Sequence, residues 1–104
     1  MLGVVVVGLL TLVPSAPAQA ATVVKATDAR TFNPDSVRVH KGSKVVWKNV
    51  SSADHTVTAT TSNWSKNVRL SPGESTSFTF KHVGTYKYKC RIHAGMRGKV
   101  VVVS

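Results

Sequence analysis

A thiol, an imidazole and a thioether follow one another at three-residue intervals near the end of the chain, as Cys90, His93 and Met96. This stretch comes after an alternating segment and before a final apolar run, which predicts a loop and not a helix. A short loop can fold back so that all three side chains converge on one point. A fourth candidate donor, His55, opens an earlier alternating segment, and folding can bring it to the same place.

Two imidazoles, one thiolate and one thioether form a donor set with a specific metal preference. A trigonal arrangement of two His and one Cys, with a weak and long axial Met, is typical of blue-copper electron-transfer sites. Zinc also accepts His and Cys but gains little from a thioether, and the chain has only one cysteine. We therefore expect one copper ion to be bound by His55, Cys90, His93 and Met96.

Short strands must position these donors. Alternating segments recur about every ten residues and are separated by turn residues; they cover residues 22–27, 36–40, 44–49, 55–60, 75–80, 84–90 and 99–104. The pattern predicts an all-β fold, a Greek-key β-sandwich or barrel of seven to eight strands. Residues 32–35 are expected to form a turn or kink, and residues 61–70 to be irregular.

The alternation in residues 84–90 predicts which way the cysteine points. Successive side chains of a strand face opposite sides, so Tyr86, Tyr88 and Cys90 share one face while Lys87 and Lys89 lie on the other. Lys is rarely buried, and the face that carries Cys90 is therefore the inner one. By the same pattern Trp47 belongs to the core, Trp64 is expected to pack, and His40 and His82 are expected at the surface.

Residues 1–20 differ in composition from the rest of the chain. Residues 2–13 are almost wholly apolar, about a dozen residues and so shorter than the roughly 20 that a spanning helix needs. Small residues at 18 and 20 follow two prolines, as at a signal-peptidase site. We expect residues 1–20 to be a cleaved signal peptide, residues 21–104 to be one domain, and the protein to be exported to the periplasm, the cell surface or the medium.

The chain carries 14 Lys and Arg against 4 Asp and Glu, a formal net charge of +10. Such a field accelerates encounter with an anionic partner. The basic residues are scattered singly, and export argues against nucleic acid. We expect a redox partner protein with an acidic docking surface, no nucleic acid, no stable membrane insertion of the domain, and a monomer.

The chain resembles the cupredoxin family, on its plastocyanin, pseudoazurin and amicyanin branch. The resemblance runs over essentially all of residues 21–104 and rests on Phe32-x-Pro34, Gly42-x-x-Val45-x-Trp47-x-Asn49, His55-Thr56-Val57, Pro72-Gly73, Gly84-Thr-Tyr86-x-Tyr88-x-Cys90, His93, Met96 and Gly98. The two-residue gaps on either side of His93 give a short ligand loop that is similar to that of amicyanin. Many relatives have Pro where Ala94 stands, and plastocyanins have Asn where Thr56 stands.

The resemblance implies a one-electron carrier that is not an enzyme, with electrons passing through His93 and an apolar patch around Ala94 and Gly95. It also suggests that the hydroxyl of Thr56 braces the ligand loop, as outer hydrogen bonds do around metal sites. A copper storage or delivery protein is the main alternative, although the chain has only two methionines. Oxidase or nitrite reductase chemistry needs more domains and histidines, and an adhesion domain with a free thiol leaves the donor spacing unexplained.

Overall fold

Residues 21–104 are described by a computed structural model, and within them the chain is built from β-strands without a helix. The nine strands are β1 Thr22–Ala26, β2 Phe32–Asn33, β3 Ser36–His40, β4 Ser43–Asn49, β5 His55–Ala59, β6 Asn67–Leu70, β7 Ser75–Phe80, β8 Gly84–Lys89 and β9 Arg97–Val103. No membrane-spanning helix is therefore found in this part of the chain. The predicted signal peptide, residues 1–20, lies outside the described residues.

Two sheets face each other across the core. The first has the strand order β2-β1-β4-β7, and the second has the order β3-β9-β8-β5-β6. β8 and β9 are antiparallel neighbours, and the loop that carries the predicted metal donors joins them. β5, which opens with His55, pairs with the other side of β8. The all-β sandwich predicted from the alternating pattern is confirmed.

The core is filled by the inward-facing residues of both sheets. Trp47, Phe80 and Tyr88 are among the largest fully buried side chains. The rings of Trp47 and Tyr88 meet edge to face at 5.3 Å, and Trp64 stacks on Trp47 at 6.0 Å, within the range that favours aromatic pairs. Trp64 also donates its indole N–H to the carbonyl of Lys87 at 3.1 Å. The predicted core position of Trp47 and the packing role of Trp64 are confirmed.

Tyr88 packs against Gly98, a position at which no larger residue fits. A Cβ at Gly98 would overlap the hydroxyl and Cζ of Tyr88, and these two residues are direct partners across β8 and β9. The hydroxyl has no hydrogen-bond partner in the described residues. Burial raises the pKa of Tyr88 to about 12, although the nearby Trp47 indole acts in the opposite direction.

Two predictions about local structure were wrong. Residues 67–70 form β6, which pairs with β5 through Thr58↔Asn67 and His55↔Leu70. This strand is only four residues long and is stabilised by its pairing with β5 and by the burial of Leu70. Neither interaction can be predicted from the sequence of the segment alone. Within the predicted turn at 32–35, Phe32 and Asn33 form the two-residue strand β2 against β1.

Candidate metal centre

The start of β5 and the end of β8 bring three donor side chains together at one end of the second sheet. Nδ1 of His55 lies 3.8 Å from Sγ of Cys90, and Nδ1 of His93 lies 3.7 Å from the same sulfur. All three donor atoms lie within 4.8 Å of one another. His55 and Cys90 are buried, whereas His93 is half-buried. One metal ion between them would therefore be shielded on two sides and reach the surface through His93.

The loop that carries Met96, the fourth predicted donor, is closed by hydrogen bonds of its own backbone. The N–H of Cys90 donates to the carbonyl of Met96 at 2.9 Å, and the N–H of Met96 donates to the carbonyl of His93 at 3.3 Å. Gly95 has a φ of +81°, a left-handed conformation that a glycine adopts without a Cβ penalty. The Met96 side chain turns inward and is only 2% exposed. The backbone hydrogen bond between Cys90 and Met96 brings the two ends of the loop together, and Met96 stays the predicted fourth ligand.

Thr56 connects β5 to both the thiol and the loop. Its backbone N–H points at Sγ of Cys90 across 3.4 Å, and its hydroxyl accepts the N–H of Arg91 at 2.8 Å. The hydroxyl brace expected from the sequence is confirmed. Thr56 therefore contacts both the sulfur that is predicted to bind the metal and the backbone of the loop that follows it.

A hydrogen-bond chain behind His55 determines which ring nitrogen is free. The amide nitrogen of Asn49 donates to the carbonyls of Ala53 at 2.7 Å and Leu70 at 3.0 Å, so the amide oxygen is the acceptor for Ser51. The Ser51 hydroxyl therefore donates to Asn49 at 2.6 Å or to the Ala53 carbonyl at 3.0 Å. Its oxygen is then left to accept Nε2–H of His55 at 2.9 Å.

These hydrogen bonds place the proton of the His55 imidazole on Nε2 and leave the lone pair on Nδ1, the nitrogen that faces Cys90. Hydrogen bonding of the outer nitrogen is the usual way in which a protein orients a histidine ligand. Burial of the imidazole, together with the nearby His93, lowers the pKa of His55 below its usual value. Both effects keep Nδ1 unprotonated and available to a metal.

The sequence interpretation did not identify Ser51 as part of the site. Ser51 lies in a turn between β4 and β5, where serine is common for local reasons. Its contact with His55 depends on how that turn folds back over the donor cluster. The only signal in the sequence was the Asn49-x-Ser51 pair just ahead of His55, and such pairs are frequent in ordinary turns.

The remaining residues singled out in the sequence lie where they were expected. His40 and His82 are exposed, and Nδ1 of His40 lies 2.9 Å from the carbonyl of Ser104. Ala94 and Gly95 are exposed on the loop. Beside them, 41% of the surface of Ile92 is exposed. The loop therefore presents a large apolar side chain to solvent.

The donor set fits copper better than other common metals. Two imidazoles and a thiol converge, and the same loop carries the buried side chain of Met96, whose carbonyl accepts the N–H of Cys90. Soft sulfur ligands favour Cu(I) and imidazoles also serve Cu(II), so one pocket suits both oxidation states. A single type 1 copper ion is the cofactor that these residues fit.

Comparison with known proteins points the same way. A family model described as a cupredoxin-like domain matches residues 2–102. Amicyanin-alpha of Methylorubrum extorquens is 36% identical over 99 residues, covering 91% of this chain and 82% of the relative. A solved structure of the Cu(I) form of an amicyanin variant is 32% identical, with a TM-score of 0.74, covering 83% of this chain and 85% of that one.

A more distant likeness shows the fold alone. The copper-containing nitrite reductase of Thermus scotoductus superimposes with a TM-score of 0.75 at 21% identity, over 89% of this chain but only 24% of that enzyme. The whole-chain matches to amicyanin and the cupredoxin-like domain carry the assignment. With its two-sheet sandwich and its cluster of two histidines and a cysteine, this chain belongs to the cupredoxin-like family.

Proposed function

We propose that the protein is an exported carrier of single electrons whose copper ion is held by His55, Cys90, His93 and Met96. The observation that supports this most strongly is the approach of both histidine Nδ1 atoms to the Cys90 sulfur, at 3.8 Å and 3.7 Å. The relatives named amicyanin favour the same function, since one was solved in its Cu(I) form.

Bound copper supplies a one-electron couple, and the residues around it keep the donors in one geometry. Asn49 and Ser51 hold His55 in place, and Thr56 holds the loop and the sulfur. Hydrogen bonds of this kind limit movement of the ligands between oxidation states. A carrier benefits because a small rearrangement means a small barrier to each transfer.

Electrons would enter and leave through His93. It is the donor that is half-buried, and the exposed side chains of Ile92 and Ala94 flank it together with Gly95. We call this surface, His93 with Ile92, Ala94 and Gly95, the electron port. An apolar rim lets a partner exclude water and approach the imidazole closely.

Export to the periplasm, the cell surface or the medium is part of the proposal. It is supported by the composition of residues 1–20 and by the single cysteine, which in an exported protein calls for a metal or another partner. The same location would present the net charge of +10 to extracytoplasmic partners with acidic surfaces.

Spectroelectrochemistry of the copper-loaded protein separates a carrier from a storage or delivery protein. A carrier shows one reversible one-electron wave, bleaches fully on reduction, and keeps its copper when a Cu(I) chelator competes in the reduced state. Release of copper to the chelator on reduction, or binding of more than one copper per chain, would replace the carrier with a storage or delivery role.

A further inference from the structure

Two pairs of cations face each other across the strands that lead to and from the metal loop. Lys87 on β8 is the direct partner of Lys99 on β9, and Lys89 is the direct partner of Arg97. All four side chains are exposed, and they lie on the outer face because the alternate residues Tyr86, Tyr88 and Val100 are buried. Arg91 extends the row into the loop. We call these five cations the cationic ladder.

Within residues 21–104 no acidic side chain forms an ion pair with a cation of the ladder. Like charges that are directly opposite across a sheet destabilise it, and this face carries two such pairs in succession. Within residues 21–104 the one ion pair closer than 4 Å is between Arg69 and Asp54, which are not part of the ladder. Asp35 is the single carboxylate that lines the same surface. The positive field of the ladder is therefore directed at solvent.

The ladder is continuous with the electron port. Its cations line one concave surface together with Ile92, His93, Ala94 and Gly95, because the loop joins the very strands that carry the ladder. A partner seated in this concavity would contact the cations and the exposed edge of His93 at once. An anionic lipid or polysaccharide would need only the positive charge and would gain nothing from the electron port. A surface that combines the two therefore favours a redox protein as the partner.

From this geometry we propose that the cationic ladder is the docking surface for a redox protein that surrounds its own electron-transfer site with carboxylates. The inference rests on the proposed electron-carrier function and adds which surface of this chain binds the acidic partner. The opposite sheet offers a matched comparison, since Lys25 and Lys48 are also direct cross-strand partners and are exposed. Neither of these two lysines lines the concave surface that contains the electron port.

The test compares two double variants with the same loss of charge, Lys87→Gln/Lys99→Gln and Lys25→Gln/Lys48→Gln. The probe is a c-type cytochrome made anionic by maleylation of its lysines and kept in the ferrous state, so that it cannot oxidise the Cu(I) protein; the unmodified basic ferrous cytochrome is its control. Binding is followed by NMR on the ¹⁵N-labelled Cu(I) protein, and only variants that keep the blue band after oxidation are compared.

We expect the anionic cytochrome to shift amide signals of β8, β9 and residues 91–97. We expect the ladder variant to bind it at least about fivefold more weakly at low salt, and the control variant less than about twofold, because close charges steer encounter most. Equal losses in both variants, or shifts centred on the first sheet, would overturn the proposal. So would binding to phosphatidylglycerol vesicles that competes with the cytochrome and is equally sensitive to the ladder variant.

This experiment involves no electron transfer. A failure of docking with an intact, reversible copper couple therefore contradicts the ladder alone. A protein that binds the anionic cytochrome through the ladder but shows no reversible couple contradicts the proposed function instead.

Discussion

Nε2 of His55 lies 2.9 Å from the hydroxyl of Ser51, which accepts from the imidazole because its own proton is donated to Asn49 or to the carbonyl of Ala53. The imidazole is thereby held in the tautomer that leaves Nδ1 free, 3.8 Å from the Cys90 sulfur. Ser51, which is not a proposed ligand, thus orients the proposed ligand His55.

Ser51→Ala removes the acceptor for Nε2–H and leaves the His55 ring free to change tautomer. We expect the affinity for Cu(II) to fall by roughly 10-fold, as is typical when an outer hydrogen bond to a histidine ligand is lost. Competition with a chelator of known affinity measures this. Ser65→Ala, at an exposed position, is the control and should bind copper as the unmodified protein does. Equal affinities for the Ser51 variant and the unmodified protein would remove Ser51 from the site.

Thr56→Val deletes the hydroxyl that accepts the N–H of Arg91 but keeps the backbone N–H that points at the Cys90 sulfur. We expect the loop to open more often, at a cost of about 1 kcal/mol for the lost hydrogen bond. Hydrogen exchange at the Arg91 amide should accelerate accordingly, and copper should dissociate faster. Thr60→Val, on an exposed threonine after β5, should change neither rate.

The Cys90 face, the core position of Trp47 and the donor loop could be predicted because each depends on local alternation or spacing. Lys87 and Lys89 alternate with Tyr86, Tyr88 and Cys90, so their charge alone identifies the inner face. β6 could not be predicted, because its four residues become a strand only against β5. The contact of Ser51 with His55 could not be predicted from the sequence either, because it depends on the path of a turn and on the directions of hydrogen bonds.

Stability at high pH should depend on Tyr88. The folded protein holds the pKa of Tyr88 at about 12, whereas an unfolded chain ionises tyrosine near 10. The unfolded state therefore loses its proton first, and the free energy of unfolding should fall as the pH rises from about 10 to about 12.

Urea denaturation at pH 9 and pH 11 measures this fall, and Tyr88→Phe should remove part of it. At pH 9 the variant should be about as stable as the unmodified protein, because the hydroxyl has no hydrogen-bond partner in residues 21–104. An unchanged slope in the variant would show that other groups cause the alkaline loss.

Gly98→Ala should destabilise the fold, because the added Cβ would overlap the hydroxyl and Cζ of Tyr88. We expect a loss of about 2 kcal/mol in the free energy of unfolding, within the range for overpacked cores. The double variant Gly98→Ala/Tyr88→Phe should recover part of that loss, since it removes one of the two overlapping atoms. Simple additivity in this double-mutant cycle would contradict the contact.

Absorption spectroscopy during titration with Cu(II) tests the metal centre most directly. We expect an intense blue thiolate-to-copper band that saturates at one equivalent, is bleached by ascorbate, and is absent from Cys90→Ser. Met96→Leu should retain the blue band but change the relative intensities of the thiolate-to-copper absorption bands, because the proposed axial ligand influences the electronic structure of the copper site. Copper binding without a blue band, or a band that survives in Cys90→Ser, would contradict the type 1 site and the electron-carrier function that depends on it.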